Sequence, residues 1–538
     1  MDISGCSFSE LSYSTLFNTY LTNFDSLKSF YVFNPLDKKE IERRANSLSD
    51  AESKKNYLAA LSEYHKELGI ADSQKNQREK LAKDDALVVV TGQQLGLFGG
   101  PLFTIYKTLT AILLSRKYEK DLGRPVVPVF WLADEDHDFE EISWVGITGR
   151  DDFSKVVLDK KGSGAPVSEE KLTDAIKSFK EKVKEELFDT DFSESLWELL
   201  DQYYREGNTH AKAFSGLINE WFAQEGVLIA GSNFSAIKKL AAPAFKKSID
   251  KADSIYESIE SKSAELERNF HRQVMNGDSN LFYLSEQKER IKIHKCEDDW
   301  TAGSKKRWSH FELLEEIENH PEKFSPNVFL RPVIQDKMLP TLGYVAGPGE
   351  LAYYGQMKLF YEEFDLVMPP IFPRYTATII ESAISRIIEK LPFKVCEYEK
   401  RIEDLESEFI EQTDTVDIEN IFSEWKDKLE EAAKEPLQVI DEIDPTLDGT
   451  VGKTVAGFAN ELDKLKGRVY RSIKQQEETQ IKRIEKIKIN LFPDGGLQER
   501  AVSPVYFMNK YGLDIWKKLL EEIEEEGLDL TKHHLINL

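Results

Sequence analysis

The sequence predicts an α/β protein: a parallel sheet with helical crossovers, broken by connecting insertions and joined to a long α-helical coiled coil. Three observations carry this. The apolar runs Ala86–Val90 and Val126–Leu132 are rich in β-branched residues and flank a glycine-rich loop and a helix-length apolar segment. That is the order of two parallel strands with a right-handed crossover. A third run, Thr341–Ala346, leads into GPGELAYYGQ and repeats the sequence of strand, glycine turn and helix. From Phe458 onward, Leu462, Leu465, Val469 and Ile473 recur in alternating steps of three and four. The phase resumes at Ile484, Ile487 and Leu491 after the polar Gln476 and Gln480. This is a heptad seam.

Residues 1–150 hold N-terminal helices, with breaks near Asn34-Pro35 and Gly69, and then the first part of the sheet core. Residues 1–85 read as helical throughout. Residues 151–325 form a connecting insertion with part of the core. Val227–Ala230 is a buried strand there, and Asn280–Leu284 with Arg290–His294 is a hairpin. Residues 326–380 are the second part of the core, with Asn327–Val333 and Thr341–Ala346 as sheet-like segments. Residues 381–490 form the coiled coil. A helix over Tyr375–Ser423 is the expected antiparallel partner of the heptad helix, with the turn near Pro436 and Pro445-Thr446. Residues 491–538 return to the core through the turn Leu491–Gly496.

Composition narrows the function. A chain of 538 residues with 41% hydrophobic content buries a large composite core. Its net charge of -25 opposes contact with a phosphate backbone, so no nucleic-acid partner is expected. No basic segment followed by an apolar run opens the chain, and no window approaches a membrane span, so a cytoplasmic protein without membrane contact is expected. The three cysteines, Cys6, Cys296 and Cys396, are widely spaced. That spacing fits reduced thiols and argues against both a disulfide framework and a zinc site.

Three motifs sit where strands end, and two arginines stand apart from them. In the loop TGQQLGLFGGPLFTIYK (residues 91–107), glycines let backbone N–H groups approach a ligand, and Pro101 suits a helix start. A tight structural turn is the other reading. The stretch Ala133–Glu141, with Asp134, Asp136, His137 and Asp138, follows the second strand directly, which is where ligands of open α/β folds bind. A histidine among carboxylates suits holding an amine, binding Mg²⁺ or acid–base work. Glu350 in GPGELAYY reads equally as a helix-start acid or as a partner for a substrate ammonium. Arg331 and Arg374 stand in apolar, proline-framed sequence, which calls for an anionic partner from the protein or from a ligand.

The motifs TGQQLGLFGGPLFTIYK, VFWLADEDHDFEEI, FLRPVIQDKMLPTLGYVAGPGELAYYGQ, PPIFPRYTATIIE and LFPDGGLQER together resemble the bacillithiol-biosynthesis cysteine-adding enzymes, also called cysteine ligases. The resemblance runs nearly end to end and in the same order. It implies a Rossmann-type core like that of class I aminoacyl-tRNA synthetases, a coiled coil associated with homodimerisation, and joining of the cysteine carboxyl to the amine of glucosaminyl malate. The histidine signature of class I synthetases is absent from the glycine loop. So is the zinc cluster with which related cysteine-activating synthetases hold the thiolate.

On this reading His137, with Asp136 or Asp138, holds or deprotonates the amine. Gln93, Gln94, Gly96, Phe98, Gly99 and Gly100 line the substrate pocket together with Asp134, Gly349, Glu350 and Tyr353. Arg331 or Arg374 takes the malate carboxylates. The cofactor is ATP or another adenine nucleotide, with Mg²⁺ compatible. It contacts either Lys107 beside the glycine loop or the Leu491–Arg500 region, represented by Phe492 and Arg500. The alternative is a coiled-coil nucleotide-binding scaffold that does no chemistry.

Overall fold

A computed structural model describes residues 1–48, 51–304, 306–413, 418–444 and 448–538. The chain divides into two compact units. The first comprises Met1–Thr378 with Gln498–Ile536, and the second comprises Ile379–Leu497 with Asn537–Leu538.

The strands of the chain are β1 (Asp2–Cys6), β2 (Leu87–Gln93), β3 (Val126–Leu132), β4 (Trp144–Thr148), β5 (Phe153–Val157), β6 (Leu228–Ala230), β7 (Leu281–Leu284), β8 (Arg290–Cys296), β9 (Asp299–Ala302), β10 (Lys306–Ser309), β11 (Phe324–Pro326), β12 (Thr341–Ala346), β13 (Ile371–Pro373), β14 (Ala377–Ile380) and β15 (His533–Asn537). The centre of the first unit is a parallel sheet in the order β13-β12-β2-β3-β6, the Rossmann-type core expected. Leu87–Val90 and all of β3 are buried. Strands covered on both faces read as unbroken apolar runs rather than as alternation, which is why these two are visible in the sequence. The helix Phe103–Leu122 crosses from β2 to β3. Its residues Thr104–Ser115 are all buried, and Gly123 ends it in the left-handed conformation.

The insertion carries a second, antiparallel sheet in the order β10-β9-β8-β7-β11. The expected hairpin is β7 with β8, in which Phe282 opposes Lys292.

Three expectations are corrected. Asp2–Cys6 is a strand, in a small sheet ordered β1-β15-β14, so residues 1–85 are not wholly helical. Asn327–Val333 is not sheet-like, because a helix begins at Leu330. The Asn327 side chain accepts from the Phe329 and Leu330 N–H groups at 3.0 Å each and so caps that first turn. Of the cysteines, Cys296 is free and exposed, whereas Cys6 and Cys396 are disulfide-bonded rather than reduced.

In the second unit the helices Ile418–Ile443 and Asp448–Gln476 run antiparallel, as the cross-helix pairs Lys466–Glu419 (2.8 Å) and Lys426–Asp463 (2.6 Å) require. The partner helix is therefore Ile418–Ile443 and not Tyr375–Ser423. Pro436 lies inside it rather than in the turn, and Pro445-Thr446 lies outside the described residues. The heptad helix pauses at Glu477 between the two polar glutamines and continues over Glu478–Leu491. Leu462 and Val469 pack against buried Ile410, Ile418 and Phe422. No helix among the described residues is long and apolar enough to cross a membrane.

Candidate active site

The carboxyl ends of the parallel strands converge. Gly92–Gln94 after β2, Leu132–Asp136 after β3, Ser232 after β6, Gly347–Glu350 after β12 and Arg374 after β13 line one cavity of about 590 Å³. Open α/β sheets bind ligands at this edge. The insertion adds Phe282 of β7 and Arg290 and Lys292 of β8 to the wall, and the segment after it adds Pro326, Asn327, Val328 and Arg331.

An ion pair between buried Lys107 and half-buried Glu350 forms part of the lining. Lys107 Nζ also donates to the Gly92 carbonyl (2.9 Å) and to Gln93 Oε1 (3.1 Å). Glu350 accepts from Tyr344 Oη (2.7 Å) and from the Gly347 N–H (2.8 Å). Burial alone would raise the Glu350 pKa, but Lys107 and the Gly347 N–H outweigh it and hold it below the ordinary value. This carboxylate is saturated by the protein and ties the end of β2 to the end of β12.

The acidic loop divides into distinct roles. Asp134 is fully buried and accepts from Tyr64 Oη (2.8 Å), the Ser232 N–H (3.1 Å) and the Asn233 N–H (3.0 Å). Burial, then Glu135, pushes its pKa up to about 6. Glu135 pairs with buried Lys238 and accepts from Ser232 Oγ (2.7 Å). Asp136 accepts from Gln94 Nε2 (2.7 Å) and the His137 N–H (2.7 Å). Its pKa is lowered although burial opposes this, because His137, Gln94 and Arg290 favour the charged form. Asp136 is thus an ionised carboxylate in the cavity wall.

His137 is 40% exposed and does not line the cavity. Its Nδ1 lies 3.1 Å from Arg290 Nη1. Arginine only donates, so a neutral His137 carries its proton on Nε2. Asp138 caps the short helix Phe139–Ile142 by accepting from the Glu141 N–H (3.3 Å) and lines a neighbouring recess of about 550 Å³.

Six basic side chains line the cavity: Lys107, Arg290, Lys292, Arg331, Arg374 and Arg500. Arg374 is paired with buried Glu499 (2.7 Å), while its Nη1 has no partner among the described residues. Arg331 donates to Tyr353 Oη (3.2 Å) and sits over the Tyr344 ring, with no carboxylate partner among the described residues. Arg290 donates to Ser325 Oγ (2.8 Å) and the Pro326 carbonyl (2.6 Å). In a chain of net charge -25 this is a local excess of cation.

Within the glycine loop, Phe98–Gly100 is packing. Phe98 is buried against Phe179, Trp197 and Tyr204 and faces away from the cavity. A Cβ on Gly99, whose φ is +91°, would meet the Trp221 ring at 2.6 Å. Phe98, Gly99 and Gly100 do not line the cavity, and Gly96 lines only the neighbouring recess. Gln93, Gln94, Asp134, Gly349, Glu350, Tyr353, Arg331, Arg374, Lys107 and Arg500 do line the cavity. Phe492 is a buried residue of the second unit and is not among its lining residues. Sequence reasoning missed Ser232, Arg290, Lys292 and Glu499. Only the alternation in RIKIH, which puts Arg290 and Lys292 on one strand face, was available as a signal.

Comparison with known proteins agrees with this architecture. Residues 1–375 match the family model "Bacillithiol biosynthesis BshC, N-terminal Rossmann-like domain", and residues 377–538 match "Bacillithiol biosynthesis BshC, C-terminal coiled-coil domain". Relatives carrying the name "Putative cysteine ligase BshC" include one from Salinibacter ruber, 31% identical over 98% of this chain and 97% of the relative. One from Chloroherpeton thalassium is 33% identical over 86% and 84%, and one from Bacillus cereus is 28% identical over 92% and 93%. A solved chain from Campylobacter jejuni, described as an arginyl-tRNA synthetase, overlaps 82% of this chain and 98% of its own at 10% identity, with a TM-score of 0.25, too weak a likeness to carry an argument. The chain belongs to the BshC family of bacillithiol biosynthesis, whose curated members are named as ligases.

Proposed function

We propose that this protein joins cysteine, through its carboxyl, to the amine of glucosaminyl malate. The observation that carries this reading is the cavity itself, where Lys292, Arg331 and Arg500, none paired to a carboxylate among the described residues, share one wall with the ionised Asp136. The cations suit a carboxylate-bearing acceptor, and Asp136 suits an ammonium group. A carboxylate is a poor electrophile, so activation comes first. ATP with Mg²⁺, which Arg500 in the cavity wall would help to hold, would supply that activation by giving its adenylyl group to the cysteine carboxylate, with pyrophosphate leaving. The sugar ammonium, its proton released to water, would then attack the acyl carbon as the free amine, and AMP would depart with the bonding electron pair. Asp136 holds the amine, and the Nε2–H of His137 donates at the rim.

Mass spectrometry on the protein with cysteine, glucosaminyl malate, ATP and Mg²⁺ is expected to show the amide together with AMP. ADP instead would point to an acyl phosphate, and no product would refute the reaction. His137→Ala is expected to fold normally and to form product more slowly; unchanged turnover would remove His137 from the chemistry.

We also propose a homodimer through the coiled coil. Trp425, Phe458 and Leu465 are 50%, 55% and 40% exposed on the helical hairpin, and aromatic and aliphatic side chains in a heptad seam favour a partner helix. Light scattering is expected to give a dimer mass for the chain and a monomer mass for Trp425→Glu/Phe458→Glu. A dimer that survives both substitutions would rule this interface out.

A further inference from the structure

The cations around the cavity differ in what already holds them. Lys107 and Arg374 are committed to Glu350 and Glu499, and Arg290 to Ser325, Pro326 and His137. Arg331 keeps a tyrosine hydroxyl. Lys292 has neither a hydrogen bond nor an ion pair among the described residues, yet it is half-buried in the cavity wall. Arg500 is also unpartnered but exposed.

Two features fix where the Lys292 ammonium points. Strand β8 pairs with β7 so that Lys292 stands opposite Phe282, itself a cavity residue, and on the same face as Arg290. The ammonium also passes over Gly277, where a Cβ would overlap Nζ. The absence of a side chain at 277 leaves room for the cation. A partly desolvated lysine with no protein acceptor has lost part of its hydration without replacement, and a carboxylate on the ligand restores it through a charge-assisted hydrogen bond.

We infer that Lys292 is the specificity-determining cation for the acceptor. It takes one of the two carboxylates of the malate moiety while Arg331 takes the other, and Gly277 holds the space it needs. This rests on the reaction proposed above and assigns its acceptor selectivity to the insertion rather than to the parallel sheet.

Calorimetric titration tests it with two probes, glucosaminyl malate and methyl glucosaminide, which lacks the dicarboxylate. Lys292→Gln is expected to weaken binding of glucosaminyl malate by about 10- to 100-fold, the range for losing a charge-assisted bond. It should leave methyl glucosaminide within about twofold of wild type, because that probe has no carboxylate for Lys292 to meet. Gly277→Ala keeps the charge but displaces it, and is expected to cost about 3- to 10-fold on glucosaminyl malate alone. Lys292→Gln binding glucosaminyl malate as wild type does, or losing both probes equally, overturns the inference and leaves the reaction standing. Wild-type protein that binds glucosaminyl malate in a Lys292-dependent way but forms no amide refutes the reaction and leaves the contact standing. Wild-type protein that binds neither probe refutes both.

Discussion

Glu499→Ala is expected to destabilise the first unit by about 3–5 kcal/mol, the cost of stranding one partner of a buried ion pair. Arg374 is 3% exposed and Glu499 is 0% exposed, so neither is rescued by solvent. Arg374 Nη2 donates to Glu499 Oε1 at 2.7 Å, and Glu499 Oε2 also accepts from the Ala377 N–H at 3.3 Å. Because Arg374 Nη1 already lacks a partner, removing Glu499 leaves the guanidinium with almost no acceptor. The double variant Arg374→Met/Glu499→Met removes both charges and is expected to fall within about 2 kcal/mol of wild type, since apolar replacement of a buried pair is often near neutral. Denaturant midpoints check both. A loss below about 1 kcal/mol for Glu499→Ala would mean that Arg374 is not confined as described.

The second large effect is loss of stability in mild acid. Burial, and for His65 also Arg78, pushes the imidazole pKa down to about 4; burial and Lys160 push His210 to about 4. Burial, His534 and Arg374 push His533 down to about 3. An unfolded histidine titrates near 6.5. Each of these groups therefore contributes stability that is complete above pH 6.5 and is lost as pH falls toward its folded value. Asp134 acts in the opposite sense, because its pKa rises to about 6 on folding and it gains stability over part of the same window. His534, pushed down by burial, adds to the three histidines, and Asp336, pushed up by burial, adds to Asp134, so unfolding takes up protons on balance, at about 1.4 kcal/mol per pH unit for each proton. The denaturant midpoint is expected to fall sharply between pH 6.5 and 4. His65→Gln keeps a donor for the Ile229 carbonyl, now 2.7 Å from His65 Nε2, and is expected to flatten the slope by up to one proton. A midpoint constant over this range would contradict the burial of neutral histidines.

What the sequence revealed follows from how each element is stabilised. β2 and β3 are legible because both faces are buried, which demands continuous apolar residues. β1, with the sequence DISGC, is mostly exposed at the edge of a small sheet and holds through backbone pairing that leaves no pattern. The segment beginning Asn327 is apolar in either state, and only the side-chain cap at Asn327 decides for helix. The heptad seam was visible; its partner helix Ile418–Ile443 carries apolar periodicity of its own, but Pro436 within it reads as a turn and hid its extent.

The candidate site divides in the same way. The motifs at strand ends located the cavity. They did not show that Asp134 is sequestered while Asp136 faces inward, because that depends on the path of the loop and on Tyr64, Ser232 and Asn233 from distant segments. Nor did they show that Glu350 and Arg374 are answered from within the protein.

The pairing of Arg374 with Glu499 also has a consequence for how the chain is made. The two residues stand 125 positions apart, with the helices of the second unit encoded between them. At about 5–20 residues per second, a ribosome needs roughly 6–25 s after making Arg374 to reach Glu499. For that interval the nascent first unit carries an unanswered guanidinium and lacks Arg500 from its pocket wall. The pocket is therefore completed late in synthesis, and nascent chains released before Gln498 cannot form it however well their parallel sheet has folded.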